Sequence, residues 1–242
     1  FTSSTNTKFL SLALGFSAGV MIYVSMIEIF VKAEEALVSY AGPGTGNWLT
    51  VGGFFGGILI IALIDKFIPK SGNPHEVKKV EEVKSVGKKV KDPELLKMGT
   101  FTALAIAIHN FPEGIATFTS ALQDPALGIA IAVAIAIHNI PEGIAVSVPV
   151  YFATNDKKKA FTLSFLSGLS EPVGAVLAYL LLMPFLNDMV FGIIFAAVAG
   201  IMVFISLDEL LPAAQKYDEA HLSIYGLIGG MAVMALSLLI MN

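Results

Sequence analysis

The 242 residues of the chain are 55% hydrophobic and only 14% charged, and the mean hydropathy is +0.77. Soluble domains carry roughly 25% charged residues, so this composition excludes a water-soluble domain and predicts a polytopic membrane protein that has the lipid bilayer as a partner. A net charge of −4, with lysine as the only strongly basic residue, argues against nucleic acid as a partner, and the lack of cysteine excludes disulfides and thiolate metal ligands.

Seven apolar windows are long enough to span a membrane, because a hydrocarbon core of roughly 30 Å needs about 20 residues of helix. They run over residues 9–31, 49–68, 99–121, 126–150, 161–184, 189–211 and 223–241. Turn-forming segments separate them. We therefore predict an all-α membrane helix bundle that forms one domain over residues 1–242. The polar segment 69–98, rich in Lys and Glu, is predicted to be a solvated loop.

The lysines predict the orientation of the chain. If the chain crosses the membrane at every window, fourteen lysines fall on the side of segment 69–98, and Lys32 alone lies on the other side. An excess of lysine marks the cytoplasmic side, so the loop is predicted to be cytoplasmic and the C-terminus to lie outside. Because the chain begins with Phe1 and no leader with a cleavage site precedes the first window, we expect an earlier segment to be missing.

The third and fourth windows contain the same motif. Residues 105–117 and 134–146 are identical at eleven of thirteen positions, and each includes the sequence His-Asn-x-Pro-Glu-Gly. The connection between them is too short for anything but an antiparallel pair of helices. The two motifs are therefore predicted to lie at the same depth with opposite polarity, as in an inverted repeat about an axis in the membrane plane.

The spacing within each motif predicts a metal site. The His and the Glu are four residues apart and stack on one helix face, so two imidazoles and two carboxylates converge. The Asn after each His lies about 100° around the helix and brings an amide oxygen to a second position. A carboxylate at the bilayer centre costs at least about 2.5 kcal/mol, and a divalent cation offsets that cost. The predicted binuclear site consists of His109, Asn110, Glu113, His138, Asn139 and Glu142.

Four further carboxylates are candidates. Glu171, in the Ser-Glu-Pro sequence of the next window, is either a third carboxylate of the site or a protonated carboxyl bonded to a neighbouring helix. Glu28 belongs either to an entrance or to an ordinary helix end near the interface. Asp208 and Glu209 close the sixth window on the cytoplasmic side, where they either assist metal release or end the helix in solvent.

The paired His-Asn-x-Pro-Glu-Gly motifs, followed by Ser-Glu-Pro, resemble those of the ZIP (Zrt/Irt-like) family of divalent metal transporters, in particular its bacterial zinc-uptake branch. The resemblance implies a multi-pass protein of the bacterial inner membrane with eight spans, of which seven are visible here. It implies no enzyme activity and no prosthetic group. The family moves metal into the cytosol by alternating access, with the bundle that carries the sites shifting against the remaining helices.

The resemblance also divides the ligands between two metal positions. The first position is formed by His109, Glu113, His138 and Glu142. The second is formed by Asn110, Asn139 and Glu171, with Glu113 and Glu142 as bridges. Imidazole and carboxylate suit Zn²⁺, while amide oxygens also suit other divalent ions, so we predict Zn²⁺ as the first substrate with Fe²⁺, Mn²⁺, Co²⁺ and Cd²⁺ tolerated.

Other classes of function remain open on the residues alone. An intramembrane di-metal enzyme would use the same ligands to activate water or oxygen, although di-iron bundles carry Glu-x-x-His, whereas here His precedes Glu. A structural zinc site prefers a closed shell of four ligands. The sequence contains no nucleotide-binding motif that would indicate an ATP-driven pump. It leaves the oligomeric state open and is compatible with a homodimer.

Overall fold

The computed structural model describes residues 7–67, 93–123, 125–185, 187–216 and 221–241, and all regular structure within these ranges is helical. The all-α prediction is therefore confirmed for the described part of the chain. Most of the predicted cytoplasmic loop 69–98 lies outside the described residues. Its last residues, from Pro93 onward, belong to a helix.

The first two windows are joined by helix rather than by a predicted turn region. α1 (Thr7–Val24) continues through a π-helical turn, π1 (Ser25–Ile29), into α2 (Phe30–Phe67). The helical geometry breaks at Gly42, whose φ of +79° is readily accessible only to glycine. Pro43 follows and has no N–H to donate. The segment 32–48, predicted as a turn region, is thus mostly helical with a sharp break inside it.

The remaining helices follow in chain order. They are α3 (Pro93–Gln123), α4 (Pro125–Thr154), α5 (Lys157–Leu177), α6 (Asp188–Ile205), α7 (Leu211–Lys216) and α8 (Leu222–Met241). α5 continues into a π-helical turn, π2 (Ala178–Leu182), and a 3₁₀ turn, and α6 is joined to α7 by a π-helical turn, π3 (Ser206–Leu210). Asp156 caps α5 by accepting hydrogen bonds from the N–H groups of Lys158 and Lys159.

Four described segments are long and apolar enough to cross a membrane. They are Ser11–Ile64, Lys157–Leu181, Asp188–Asp208 and Leu222–Ile240. The first has 54 residues and contains the break at Gly42, so it is far longer than the roughly 20 residues that one crossing needs. These segments support a multi-pass membrane protein, while the count of seven spans and the orientation stay predictions.

The helices pack in two groups. In one group α1 packs against α8 and α2 against α6, and in the other α3, α4 and α5 pack against each other. Glycines allow the close approaches in the first group: a Cβ on Gly19 would collide with the carbonyl of Leu227, and a Cβ on Gly57 with that of Ala197. Most of the main apolar core also belongs to this group, with α1 and α6 contributing the buried side chains Leu14, Met21, Phe191, Phe195 and Met202.

α1 and α6 share a sequence pattern that continues into their π-helical turns. Residues 18–29 and 199–210 have identical residues at five of twelve aligned positions, including Ser-x-x-Glu near the end. π1 and π3 occupy the same positions of the two patterns and begin at Ser25 and Ser206, which are both fully buried. π1 packs against α6, and π3 packs against α1. Each of the two helices thus directs its irregular turn toward the other.

Candidate metal site

The two motifs lie on α3 and α4, which are separated by a single residue and pack against each other. Close to this connection, a Cβ on Gly128 would lie 2.5 Å from the Cα of Ala121, so the last turn of α3 touches the first turn of α4. Both helices continue through the motif prolines, Pro112 and Pro141. α3 and α4 are therefore adjacent, as expected from the short connection between them.

Asn110 of the first motif contacts Glu142 of the second, and both residues are buried, with 1% and 8% of their surface exposed. The neighbours of the Asn110 amide identify which of its atoms is the nitrogen. In the amide orientation that satisfies these neighbours, Nδ2 donates hydrogen bonds to Oε2 of Glu142 at 3.0 Å and to the carbonyl oxygen of Ile106 at 3.2 Å. This contact joins α3 to α4 through a charge-assisted hydrogen bond.

Asn139 of the second motif makes the equivalent contact with the next helix. Its Nδ2 donates to Oε2 of Glu171 on α5 at 2.8 Å. In both contacts the Asn and the Glu are 32 residues apart, so the second pair is the first pair moved along the chain by the 29-residue repeat. The Oδ1 atom of Asn139 is buried and has no hydrogen-bond partner among the described residues. The carboxyl group of Glu171 accepts this hydrogen bond, and it does not need to be protonated to do so.

Glycines that follow the motif glutamates bring α5 against both motifs. A Cβ on Gly114 would collide with the backbone carbonyl of Glu171, so α3 and α5 touch beside the buried Glu113. On α4, the hydroxyl of Ser164 donates to the carbonyl oxygen of Gly143 at 3.0 Å. The glycine of each His-Asn-x-Pro-Glu-Gly sequence thus serves close packing with α5, a role that the motif alone did not indicate.

The predicted imidazole ligands belong to the same two helices. The backbones of His109 and His138 lie on α3 and α4, and their side chains fall outside the described residues. Among the side chains that are described, no group of three or more His, Asp or Glu could hold a metal ion. The described part of the site consists of the two Asn–Glu pairs and the buried Glu113, and the metal geometry stays a prediction.

The predicted pathway carboxylates lie elsewhere in the fold. Glu28 is in π1 and is partly buried, while Asp208 is in π3 and is exposed. Glu209 is also in π3, with its side chain outside the described residues. Both turns pack with α1 and α6 rather than within the group of α3, α4 and α5. The Ser-x-x-Glu sequence shared by π1 and π3 relates Glu28 to Glu209. The sequence analysis, which started from the His-Asn-x-Pro-Glu-Gly motifs, did not use this pattern.

The family of the chain follows from comparison with known proteins. Residues 94–238, more than half of the chain, match the family model described as ZIP zinc transporter. The chain belongs to the ZIP family. Its membership confirms the predicted class, a multi-pass membrane protein that transports divalent metal and is not an enzyme.

Similar proteins extend the match over the whole chain. The zinc transporter ZupT of Lysinibacillus sphaericus (strain C3-41) is 73% identical over 241 residues, which cover 100% of this chain and 90% of that protein. The protein of the same name from Oceanobacillus iheyensis is 71% identical over 238 residues, which cover 98% and 89%. The one from Clostridium perfringens (strain 13 / Type A) is 63% identical over 251 residues, which cover 99% and 88%. The matched lengths include both motifs and Glu171.

Proposed function

We propose that this ZIP protein carries Zn²⁺ into the cytosol through a site formed by α3, α4 and α5. The observation that carries the proposal is the contact of Asn110 with Glu142 together with the hydrogen bond from Asn139 to Glu171. They place two carboxylates and two amides between three consecutive helices. Glu113, which has no exposed surface, lies on the same helix as Asn110, almost one turn further along.

The charge of this cluster favours a divalent cation as the substrate. Carboxylates within the bilayer are costly to insert and repel each other when they lie close together, and a cation relieves both effects. The names of the relatives support Zn²⁺ as the main substrate. Since the amide oxygens also suit Fe²⁺, Mn²⁺ and Co²⁺, we propose that these ions and Cd²⁺ compete with Zn²⁺.

Two adjacent metal positions fit the order of the ligands. We place one metal ion between the His and Glu residues of the two motifs, His109, Glu113, His138 and Glu142. A second ion takes oxygen atoms from Asn110, Asn139 and Glu171 and shares the carboxylates of Glu113 and Glu142. The contacts of Asn110 with Glu142 and of Asn139 with Glu171 support this arrangement, because they bring ligands of the second position next to each other.

Alternating access is the proposed transport mechanism. Most contacts of α3, α4 and α5 are with each other, and most contacts of α1, α2, α6 and α8 are within their own group. This division supports movement of one group against the other, as does the opposite polarity of the two motifs. With the lysine-rich segment 69–98 in the cytoplasm, the site opens inward on the side of that segment and outward on the side of the C-terminus.

Uptake of Zn²⁺ into liposomes tests the proposal. Proteoliposomes with an internal zinc indicator would contain the wild type, the double variant Glu113→Ala, Glu142→Ala, or Glu35→Ala as a matched control. Glu35 is exposed and forms an ion pair with Lys32 at 3.7 Å, outside the proposed site. We expect saturable uptake by the wild type and the control and its loss in the double variant. Tight Zn²⁺ binding without uptake by the wild type would refute the proposed transport.

Addition of Mn²⁺ or Fe²⁺ to the same liposomes tests the proposed tolerance. If either ion shares the site, it lowers the initial rate of Zn²⁺ uptake in proportion to its occupancy. Uptake that is unchanged by a large excess of both ions would restrict the site to Zn²⁺.

A further inference from the structure

Both Asn–Glu contacts present the wrong atom of the amide for binding a metal. The atom that faces the carboxylate is Nδ2 in Asn139, and it is also Nδ2 in Asn110 in the orientation that satisfies the hydrogen-bonding neighbours of the metal-free site. An amide nitrogen of Asn carries two hydrogens and only donates, whereas the amide oxygen is the atom that ligates a cation. The contacts therefore belong to the metal-free site and cannot persist if these amides become ligands.

We propose that Asn110 and Asn139 form two amide latches, in which each amide N–H group takes the place of the cation beside Glu142 or Glu171. When a metal ion arrives, each amide rotates by about 180° so that Oδ1 replaces Nδ2. The inference rests on the proposed function of the site, and it adds how the empty site holds its carboxylates and what must change before metal binds.

The distances allow this exchange with little movement of the helices. Two oxygen ligands that lie about 2.1 Å from one Zn²⁺ ion at angles of roughly 90° to 109° are about 3.0 to 3.4 Å apart. The nitrogen-to-oxygen distances of the latches are 2.8 Å at Glu171 and 3.0 Å at Glu142. Amide rotation and an outward shift of a few tenths of an ångström therefore turn a hydrogen-bonded pair into a pair of ligands.

The unpaired oxygen of Asn139 supports the same exchange. Its Oδ1 is buried without a hydrogen-bond partner in the described part of the chain. A buried acceptor without a partner is unfavourable, so the charge-assisted bond to Glu171 is what holds the amide in this orientation. A cation that neutralises the carboxylate removes the advantage of that bond. Rotation then satisfies the oxygen atom as a ligand.

The two latches differ in strength. Nδ2 of Asn110 donates to the carbonyl oxygen of Ile106 as well as to Glu142, so its rotation breaks two hydrogen bonds. Rotation of Asn139 breaks the single bond to Glu171 that its nitrogen makes in the described contacts. Both amides would ligate the same ion and open together, so we expect this difference in the metal-free protein, as slower hydrogen exchange at Asn110 than at Asn139.

Side-chain amide signals of the full-length protein, labelled with ¹⁵N at asparagine, test the inference. The variants Asn110→Asp and Asn139→Asp each remove one pair of NH₂ signals and so assign them, with Asn→Ser variants as a second route if either protein fails to fold. Asn187 provides the internal control, because it is exposed and its side-chain oxygen caps α6 by accepting from Val190 at 3.0 Å. Zn²⁺ binding is measured separately by calorimetry on the same samples.

In the metal-free protein we expect hydrogen exchange of both latch NH₂ groups to be at least about tenfold slower than that of Asn187, the factor that corresponds to 1.4 kcal/mol. Zn²⁺ should shift both signals together and abolish the difference. Two results would overturn the latches and leave the proposed function standing. One is NH₂ signals that stay protected from exchange when calorimetry shows bound Zn²⁺, and the other is NH₂ signals that are already unprotected before Zn²⁺ is added. A wild type that binds no Zn²⁺ would overturn both.

Discussion

The close contact between α3 and α5 makes Gly114→Ala an informative substitution. A Cβ at this position would collide with the carbonyl oxygen of Glu171 and lie 2.7 Å from its carbonyl carbon. Both atoms are backbone, so no side-chain rotation relieves the overlap. Restoring an ordinary contact of 3.4 Å requires α5 to move away from α3 by at least 0.7 Å, the difference of the two distances.

This displacement is large compared with the tolerance of a metal site. Metal–ligand distances vary by about 0.2 Å, whereas Gly114→Ala separates the helix of Glu113 from that of Glu171 by several times as much. Displacing groups that hold ligands lowers metal affinity or activity by about 10- to 100-fold. We expect kcat/KM for Zn²⁺ transport to fall by the same factor. Overpacking should also lower the stability of the protein by about 1–3 kcal/mol.

Gly168→Ala is the matched control, because this glycine is also on α5 and a Cβ added there would meet no atom within 4 Å. Replacing Gly by Ala in a helix stabilises it by about 0.5–1 kcal/mol, so the control should transport at the wild-type rate with unchanged or higher thermal stability. Initial rates of Zn²⁺ uptake over a range of concentrations give KM and kcat for both variants. Wild-type values for Gly114→Ala would show that the α3–α5 contact does not position the site.

Three further substitutions test other parts of the structure. Ser164→Ala removes the hydrogen bond to Gly143 and should lower the stability of the protein by about 0.6 kcal/mol, a typical value for a hydrogen bond between membrane helices. An unchanged thermal unfolding temperature would show that this bond contributes nothing to stability. Asp156→Ala removes the cap of α5 and should cost about 1 kcal/mol, measured by thermal unfolding, with Zn²⁺ uptake unaffected well below the unfolding temperature. Gly42→Ala places a side chain at a φ of 79° and a ψ of 163°, a region essentially restricted to glycine, and should lower stability by about 1–3 kcal/mol. An equally stable variant would contradict this backbone geometry.

Hydropathy and repeat spacing account for most of the predicted fold. Long apolar windows correctly predicted helices, and the short connection between the motifs correctly predicted that α3 and α4 pack against each other. The prediction of a turn region over residues 32–48 was wrong, because the charged residues and turn formers of this segment were taken as a sign of irregular structure. Lys32 and Glu35 instead lie on a helix, where they form an ion pair, and only Gly42 adopts a non-helical conformation.

The partners within the site were harder to predict. Spacing of four residues relates side chains of one helix, and so it grouped each His with its own Glu. It gives no information about the rotation of one helix against the next, which decides that Asn110 contacts Glu142 and Asn139 contacts Glu171. The separation of 32 residues in both pairs is visible in the sequence, but only the packing of the three helices shows that these residues are in contact.

The same contacts restrict where the transporter can open. Hydrogen bonds join α3 to α4 and α4 to α5, while the glycine after Glu113 lets α5 touch α3. Opening a path between any two of these helices would break a charge-assisted bond or separate backbones that are in direct contact. The boundary with α1, α6 and α8 carries far fewer contacts. We therefore expect access to the site to change at that boundary, with α3, α4 and α5 moving as one unit.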